Sequence, residues 1–134
     1  MTRDGTRAAL ADIRAERVRQ IHKEGWTEAH DDVHALGEMA RAAACYALQS
    51  TIGDPERHFE AQIDGGTTMF RRKFFTVGTL NISYLLWPWE GKWWKPTTAR
   101  RDLVKAAALI VAEIERLDRL AGARAQITKS TTEN

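Results

Sequence analysis

The chain has 134 residues, 43% of them hydrophobic and 28% charged, which is the composition of one ordinary globular domain. Its 20 basic and 18 acidic side chains leave a net charge of +2, without the strong basic excess of a non-specific nucleic-acid binder. The one cysteine, Cys45, excludes an internal disulfide and a zinc site built on several cysteines, and fits a reducing compartment.

Met1–Asp12 is charged and has no apolar core, unlike a signal peptide. The longest apolar stretch, Ala106–Ala112, falls far short of the roughly 20 residues that span a bilayer. From about Asp4 to Lys23, Leu10, Ile13, Val18 and Ile21 recur at helical spacing between arginines and glutamates, and Gly25 supplies a stop. A second helix is expected from Asp31 or Asp32, either of which suits an N-cap, to Ser50. Its apolar arc contains Val33, Leu36, Met39, Ala40, Ala43, Ala44 and Ala47, and the alanines predict close helix–helix packing. Gly53-Asp54-Pro55 ends it.

Thr67–Val77 and Leu80–Leu86 are rich in β-branched and aromatic residues on either side of Gly78-Thr79. They read as a β-hairpin, with a further helix as the alternative. Leu86–Pro96 holds two prolines and a glycine and reads as a loop. A last helix starts at Thr97 or Thr98 and is expected to stop at Gly122. Leu103, Ala107, Ile110, Ile114 and Leu117 form its apolar stripe, widened by Val104 and Val111. The polar residues after Ala123 read as a frayed tail.

Two constellations could carry chemistry. Between Glu24 and Glu38, seven of fifteen residues are carboxylates or histidines. Asp31, His34 and Glu38 stand at helical i, i+3 and i+4 spacings, and carboxylate with imidazole suits a divalent ion such as Mg²⁺, Mn²⁺ or Zn²⁺. The competing reading is structural: Asp31 and Asp32 cap a helix, and Glu38 pairs with Arg41 on a solvated face.

The second constellation is Trp87–Lys95, which holds four of the five tryptophans, interleaved with Lys92 and Lys95. Arg100, Arg101 and Lys105 follow on the next helix. Indole faces stack on a nucleobase and cations neutralise phosphate. Arginines in a first turn oppose the helix dipole, which favours an anionic partner. The competing reading makes the tryptophans a core lid or an oligomer interface. Cys45, after three alanines, reads as a packing residue.

Several of these segments resemble a set of small proteins encoded by tailed phages and prophages. They are Ala15-Glu16-Arg17-Val18-Arg19-Gln20-Ile21, Glu24-Gly25-Trp26-Thr27, His30-Asp31-Asp32, Gly37-Glu38, Ala42–Ala47, Trp87-Pro88-Trp89 and Arg100–Ala106. The resemblance spans both ends of the domain and leaves 52–85 as an insertion or a divergent middle. It implies a phage accessory role in a bacterial cytoplasm and brings almost no assigned chemistry. A weaker likeness is to the all-α nucleotide pyrophosphohydrolases of the MazG kind, which are oligomeric and Mg²⁺-dependent. The chain departs from their metal motif, because Arg41 stands where an aspartate belongs and no Glu-Glu pair occurs.

The expected fold is all-α: three main helices in an up-and-down bundle, with a partly structured insertion over about 54–96. Residues 1–122 form one domain, and 123–134 form a disordered tail. The alanine-rich faces predict a homo-oligomer. The leading expectation is binding of a nucleotide-like anion, in a phage setting a host immune signalling nucleotide to be sequestered. Asp31, His34 and Glu38 would form one wall through Mg²⁺ or Mn²⁺, and Trp93 and Trp94 would stack on the base. Lys95, Arg100, Arg101 and Lys105 would neutralise phosphate. The alternatives are a metal-dependent nucleoside triphosphate pyrophosphohydrolase, and an inhibitor that binds a host enzyme through the tryptophans.

Overall fold

The computed structural model describes residues 3–51, 76–77, 80–81 and 86–133, and the protein is an all-α helical bundle. Helix α1 spans Arg3–Lys23, α2 spans Glu28–Asp32, α3 spans Glu38–Gln49 and α4 spans Ala99–Glu133. No helix among the described residues is long and apolar enough to cross a membrane. Of the insertion, Thr76–Val77 (β1) and Leu80–Asn81 (β2) form a short antiparallel pair, Thr76 opposite Asn81 and Val77 opposite Leu80. The rest of the expected hairpin lies outside the described residues.

The predicted second helix is broken in two. Gly37 has φ +81°, a left-handed conformation that no α-helix interior contains and that glycine adopts without a Cβ clash. The chain restarts there. The Glu38 carboxylate accepts from the Leu36 N–H (2.7 Å) and Arg41 donates to the Leu36 carbonyl (2.9 Å), closing the turn around the glycine. Val33 and Leu36, expected in the core, are therefore 75% and 82% exposed. Upstream, Gly25 (φ +75°) separates α1 from α2, and Thr27 caps α2 by accepting from the His30 N–H.

The core lies between α3 and α4. Met39, Ala42, Ala43, Cys45 and Tyr46 pack against Ala106, Leu109 and Ala112, and Trp94 is inserted among them. The small residues let the two backbones approach closely, as the sequence predicts. On α4, however, the buried face is Asp102, Val104, Ala106, Ala108, Leu109, Ala112 and Arg116. The predicted stripe of Leu103, Ile110, Ile114 and Leu117 faces outward. Periodicity locates an apolar arc, but α4 has two of them, and alanine makes the inner one look weak. The helix does not stop at Gly122. It continues to Glu133 because Ala121, Ala123, Arg124, Ala125 and Gln126 are strong helix formers that outweigh one glycine, whose cost is about 1 kcal/mol.

α1 is attached differently. Its buried residues are Glu16, Arg17 and Gln20, while Leu10 and Val18 of the expected apolar stripe are exposed. Ion pairs take the place of an apolar seam. Arg100 meets Asp12 at 2.7 Å, Arg101 meets Glu16, and Arg17 reaches Asp31 at 2.6 Å and Glu115 at 3.7 Å. Arg101 and Glu115 are about 21 Å apart along α4 at 1.5 Å per residue, so the adjacent Glu16 and Arg17 hold α1 across the first half of that helix.

Candidate ligand-binding site

The end of α1, the Trp26 connector, α2 and the Pro88–Lys95 loop converge on one cleft. A cavity of about 540 Å³ is lined by Glu24, Trp26, His30, His34, Pro88, Trp89, Glu90 and Trp93. That volume falls in the range of small-molecule sites, roughly 300–1,000 Å³. Four of the rings form a closed circuit. Trp26 stacks on His30 (5.9 Å between centroids, 2° between planes) and His30 meets His34 edge-on at 4.7 Å. His34 meets Trp89 at 5.4 Å, and Trp89 returns to Trp26 at 5.8 Å. Positions 30 and 34 are one helical turn apart in sequence, which brings the imidazoles together although α2 has already ended.

The loop that carries Trp89 and Trp93 is pinned from below. Tyr46 Oη accepts from the Lys95 N–H (3.2 Å), Lys105 Nζ donates to the Lys95 carbonyl (2.5 Å) and Trp87 Nε1 donates to the Glu90 carbonyl (3.1 Å). Trp87 and Trp94 then pack on the Tyr46 ring at 5.7 and 4.8 Å. The four loop tryptophans thus divide. Trp94 is 2% exposed and belongs to the core, whereas Trp93 is 38% exposed and lines the cleft. Trp94, expected to stack on a ligand beside Trp93, is therefore a core residue, and of the two Trp93 alone faces the cleft. Lys92 and Lys95 place their ammonium groups 5.3 and 5.6 Å from the Trp93 ring centre.

Beside the cleft lies a recess of about 30 Å³, sharing Glu24, Trp26 and Trp93 with it. Its other walls are Glu16, Arg19, Gln20, Tyr46, Lys95, Lys105 and Leu109. Arg19 bonds Glu16 twice (2.8 and 2.9 Å) and Glu24 once (2.9 Å). Burial by itself would raise the Glu16 carboxyl, but Arg19 and Arg101 outweigh it and hold the group below the ordinary carboxylate range. Burial pushes the Lys105 ammonium below the ordinary lysine range, with Asp102 pulling the other way. Gln20 is 2% exposed, and its Oε1 has no hydrogen-bond partner among the described residues. Trp89 Nε1 is also buried without one.

The residues singled out from sequence divide accordingly. His34, Trp93, Lys95 and Lys105 reach the cleft or its recess. Arg101 touches Glu16 at the recess edge, and Arg100 is turned away to Asp12. The arginines that oppose the α4 dipole thus have carboxylate partners on α1 rather than a ligand. Asp31, His34 and Glu38 do not form a ligand set. Asp31 is buried against Arg17, with its second oxygen 3.2 Å from His30 Nδ1, while Glu38 bonds the His34 ring and the Leu36 N–H. Among the described residues, no three of His, Cys, Asp and Glu come together as metal ligands. The sequence reading missed Glu16, Arg19 and Gln20, and counts Glu24 only among the carboxylates of the polar segment. Glu16, Gln20 and Glu24 repeat every fourth residue, so a polar stripe on a helix expected to be amphipathic was the available signal.

A larger hollow of about 810 Å³ runs beside α1. Its described lining is one face of that helix, from Arg3 to Val18. Comparison with known protein families, curated proteins and solved structures finds no match to the chain.

Proposed function

We propose that the cleft binds a nucleotide-like small molecule. A heteroaromatic ring lies against Trp26, Trp89 and Trp93, and an anionic group, such as a phosphate, rests at the rim on Lys92 and Lys95. The carrying observation is that the histidine-rich segment and the tryptophan loop line one cavity of ligand size, with two ammonium groups beside Trp93. Base–indole stacking contributes roughly 1–3 kcal/mol per base, and exposed lysines supply charge without a fixed geometry. The reading is of binding rather than turnover, because Asp31 is engaged by Arg17 and Glu38 by His34 and Leu36. The phage resemblance adds a setting, in which the bound nucleotide is a host signal withdrawn from its receptor. Native mass spectrometry with a nucleotide panel tests this: a retained, unaltered nucleotide lost in Trp93→Ala supports it. A bare mass under every addition overturns it, and accumulating product masses would turn the case to an enzyme.

The partner that fits α4 is a second copy of the chain. Leu103, Ile110, Ile114 and Leu117 are each about half exposed, and with Ala107 they follow the alternating four–three spacing of a coiled-coil seam. Antiparallel pairing about Ile110 sets Leu103 opposite Leu117 of the other copy and brings Arg100 near Asp118. Parallel pairing would face Arg100 with Arg100. Light scattering on the wild type and on Ile110→Glu tests the pairing. A dimer that becomes a monomer is expected, and a wild-type monomer at tens of micromolar refutes it.

A further inference from the structure

We propose that the ring held in the cleft carries an exocyclic amino group, and that Gln20 selects it. This rests on the reading of the cleft as a site for a nucleotide-like ring. Gln20 is almost wholly buried, and its Oε1 is an acceptor without a partner among the described residues. A buried acceptor of this kind is destabilising until a donor reaches it.

Size limits what that donor can be. The recess beside Gln20 measures about 30 Å³, room for two or three water-sized groups at about 10–15 Å³ each. A phosphate or a second ring does not fit. An amino group projecting from a ring in the adjoining cleft does, because the two cavities share Glu24, Trp26 and Trp93. Gln20 also sits directly under the cleft wall, with its backbone carbonyl accepting from the Trp26 backbone N–H at 3.0 Å.

The chemistry around the recess favours a donor over an acceptor. Glu24 lines it and offers a carboxylate to a second N–H of the same amino group. Two of the three cations that line it are engaged elsewhere. Arg19 is held by Glu16 and Glu24, and Lys105 Nζ points to the Lys95 carbonyl. An oxo group in the same place would set its lone pairs against Gln20 Oε1 and the Glu24 carboxylate. Sites that hydrogen-bond a ligand group discriminate strongly against the analogue lacking it, because their own polar groups are then left unpaired.

The test is calorimetric titration of the whole protein with matched pairs that differ at one position. Adenosine against inosine 5′-monophosphate, and cytidine against uridine 5′-monophosphate, exchange amino for oxo. The expected result is at least about tenfold tighter binding of the amino member. Gln20→Met, similar in length and without the acceptor, should remain folded and bring each pair within about threefold. Gln20→Glu keeps the acceptor and should keep the preference. A merely structural Gln20 would leave the amino-to-oxo ratio unchanged in Gln20→Met, and that result overturns the proposal. So does equal binding of the paired nucleotides by the wild type, which leaves the nucleotide site itself standing. Binding of none of the four removes the nucleotide reading and this inference with it.

Discussion

Asp31 gives the sharpest test of how the polar segment works. As a metal ligand on a solvated helix face it would be dispensable for folding. The structure instead buries it against Arg17 at 2.6 Å, with side-chain exposures of 1% and 7%. Asp31→Asn keeps the shape and removes the charge, so Arg17 loses its buried counter-ion. Breaking a buried pair from one side costs about 3–5 kcal/mol. Glu115, 3.7 Å from Arg17 and 43% exposed, compensates in part and moves the expectation to the lower end, roughly 3 kcal/mol. With an unfolding entropy of about 2.1 cal/mol/K per residue, that corresponds to a fall in Tm of about 10 °C. Thermal and urea unfolding followed by circular dichroism would measure it. The double substitution Arg17→Met with Asp31→Leu should recover most of the loss, because an apolar pair of similar volume is near neutral there. A loss below about 1 kcal/mol in Asp31→Asn, or a double variant no better than the single, would refute the reasoning.

The division of the tryptophans predicts opposite phenotypes for neighbours. Trp94→Ala should cost about 3–5 kcal/mol of stability, whereas Trp93→Ala should cost about 1 kcal/mol or less and abolish ligand binding, as chemical unfolding beside titration would show. The depressed Glu16 carboxyl contributes stability that is complete above the ordinary carboxylate range and is lost as pH falls through its lower folded value. Urea melts from pH 7 down to pH 3 should therefore show a steeper loss in the wild type than in Glu16→Gln, and equal slopes would remove Glu16 from that account. Burial pushes the Cys45 thiol up to about 11, so iodoacetamide at pH 8 should leave the folded protein unmodified and alkylate it in denaturant, as intact mass would record.

What the sequence discloses about this fold is set by which interactions leave a periodic trace. The all-α class and the alanine contact between α3 and α4 were legible because helix packing repeats on one face. In the sequence Gly37 is one more helical position, since a single glycine shows no periodicity and its positive φ becomes visible only with the turn that Glu38 and Arg41 close around it. The face by which α1 attaches was invisible for a different reason. Glu16, Arg17 and Gln20 are types ordinarily assigned to solvent, and their burial depends on Arg101, Asp31 and Arg19 arriving from elsewhere or from the next turn. Trp93 and Trp94 show the finest limit. They are adjacent and chemically identical, and only the position of Tyr46, nearly fifty residues away in sequence, decides which is core and which is cleft.

That same division makes the cleft a product of the core. Trp87 and Trp94 rest on Tyr46, and the Lys95 backbone is bonded on one side by Tyr46 Oη and on the other by Lys105 Nζ. Each anchor fixes the loop where it passes between α3 and α4, so Trp89 and Trp93 have few positions left to them once those helices have packed. Across the cleft, Trp26 is positioned by its N–H bond to the last part of α1 and by Arg17, which donates to the Trp26 carbonyl at 3.3 Å while it holds Asp31. The buried ion pair and the aromatic core are thus the two supports of one aromatic circuit. Rings held in this way would lose little further freedom on stacking against a planar ligand, which would leave stacking energy for affinity rather than for ordering the site. A loop of four tryptophans without those supports would be an exposed apolar hazard. With them it is a wall beside a buried acceptor that has no partner among the described residues.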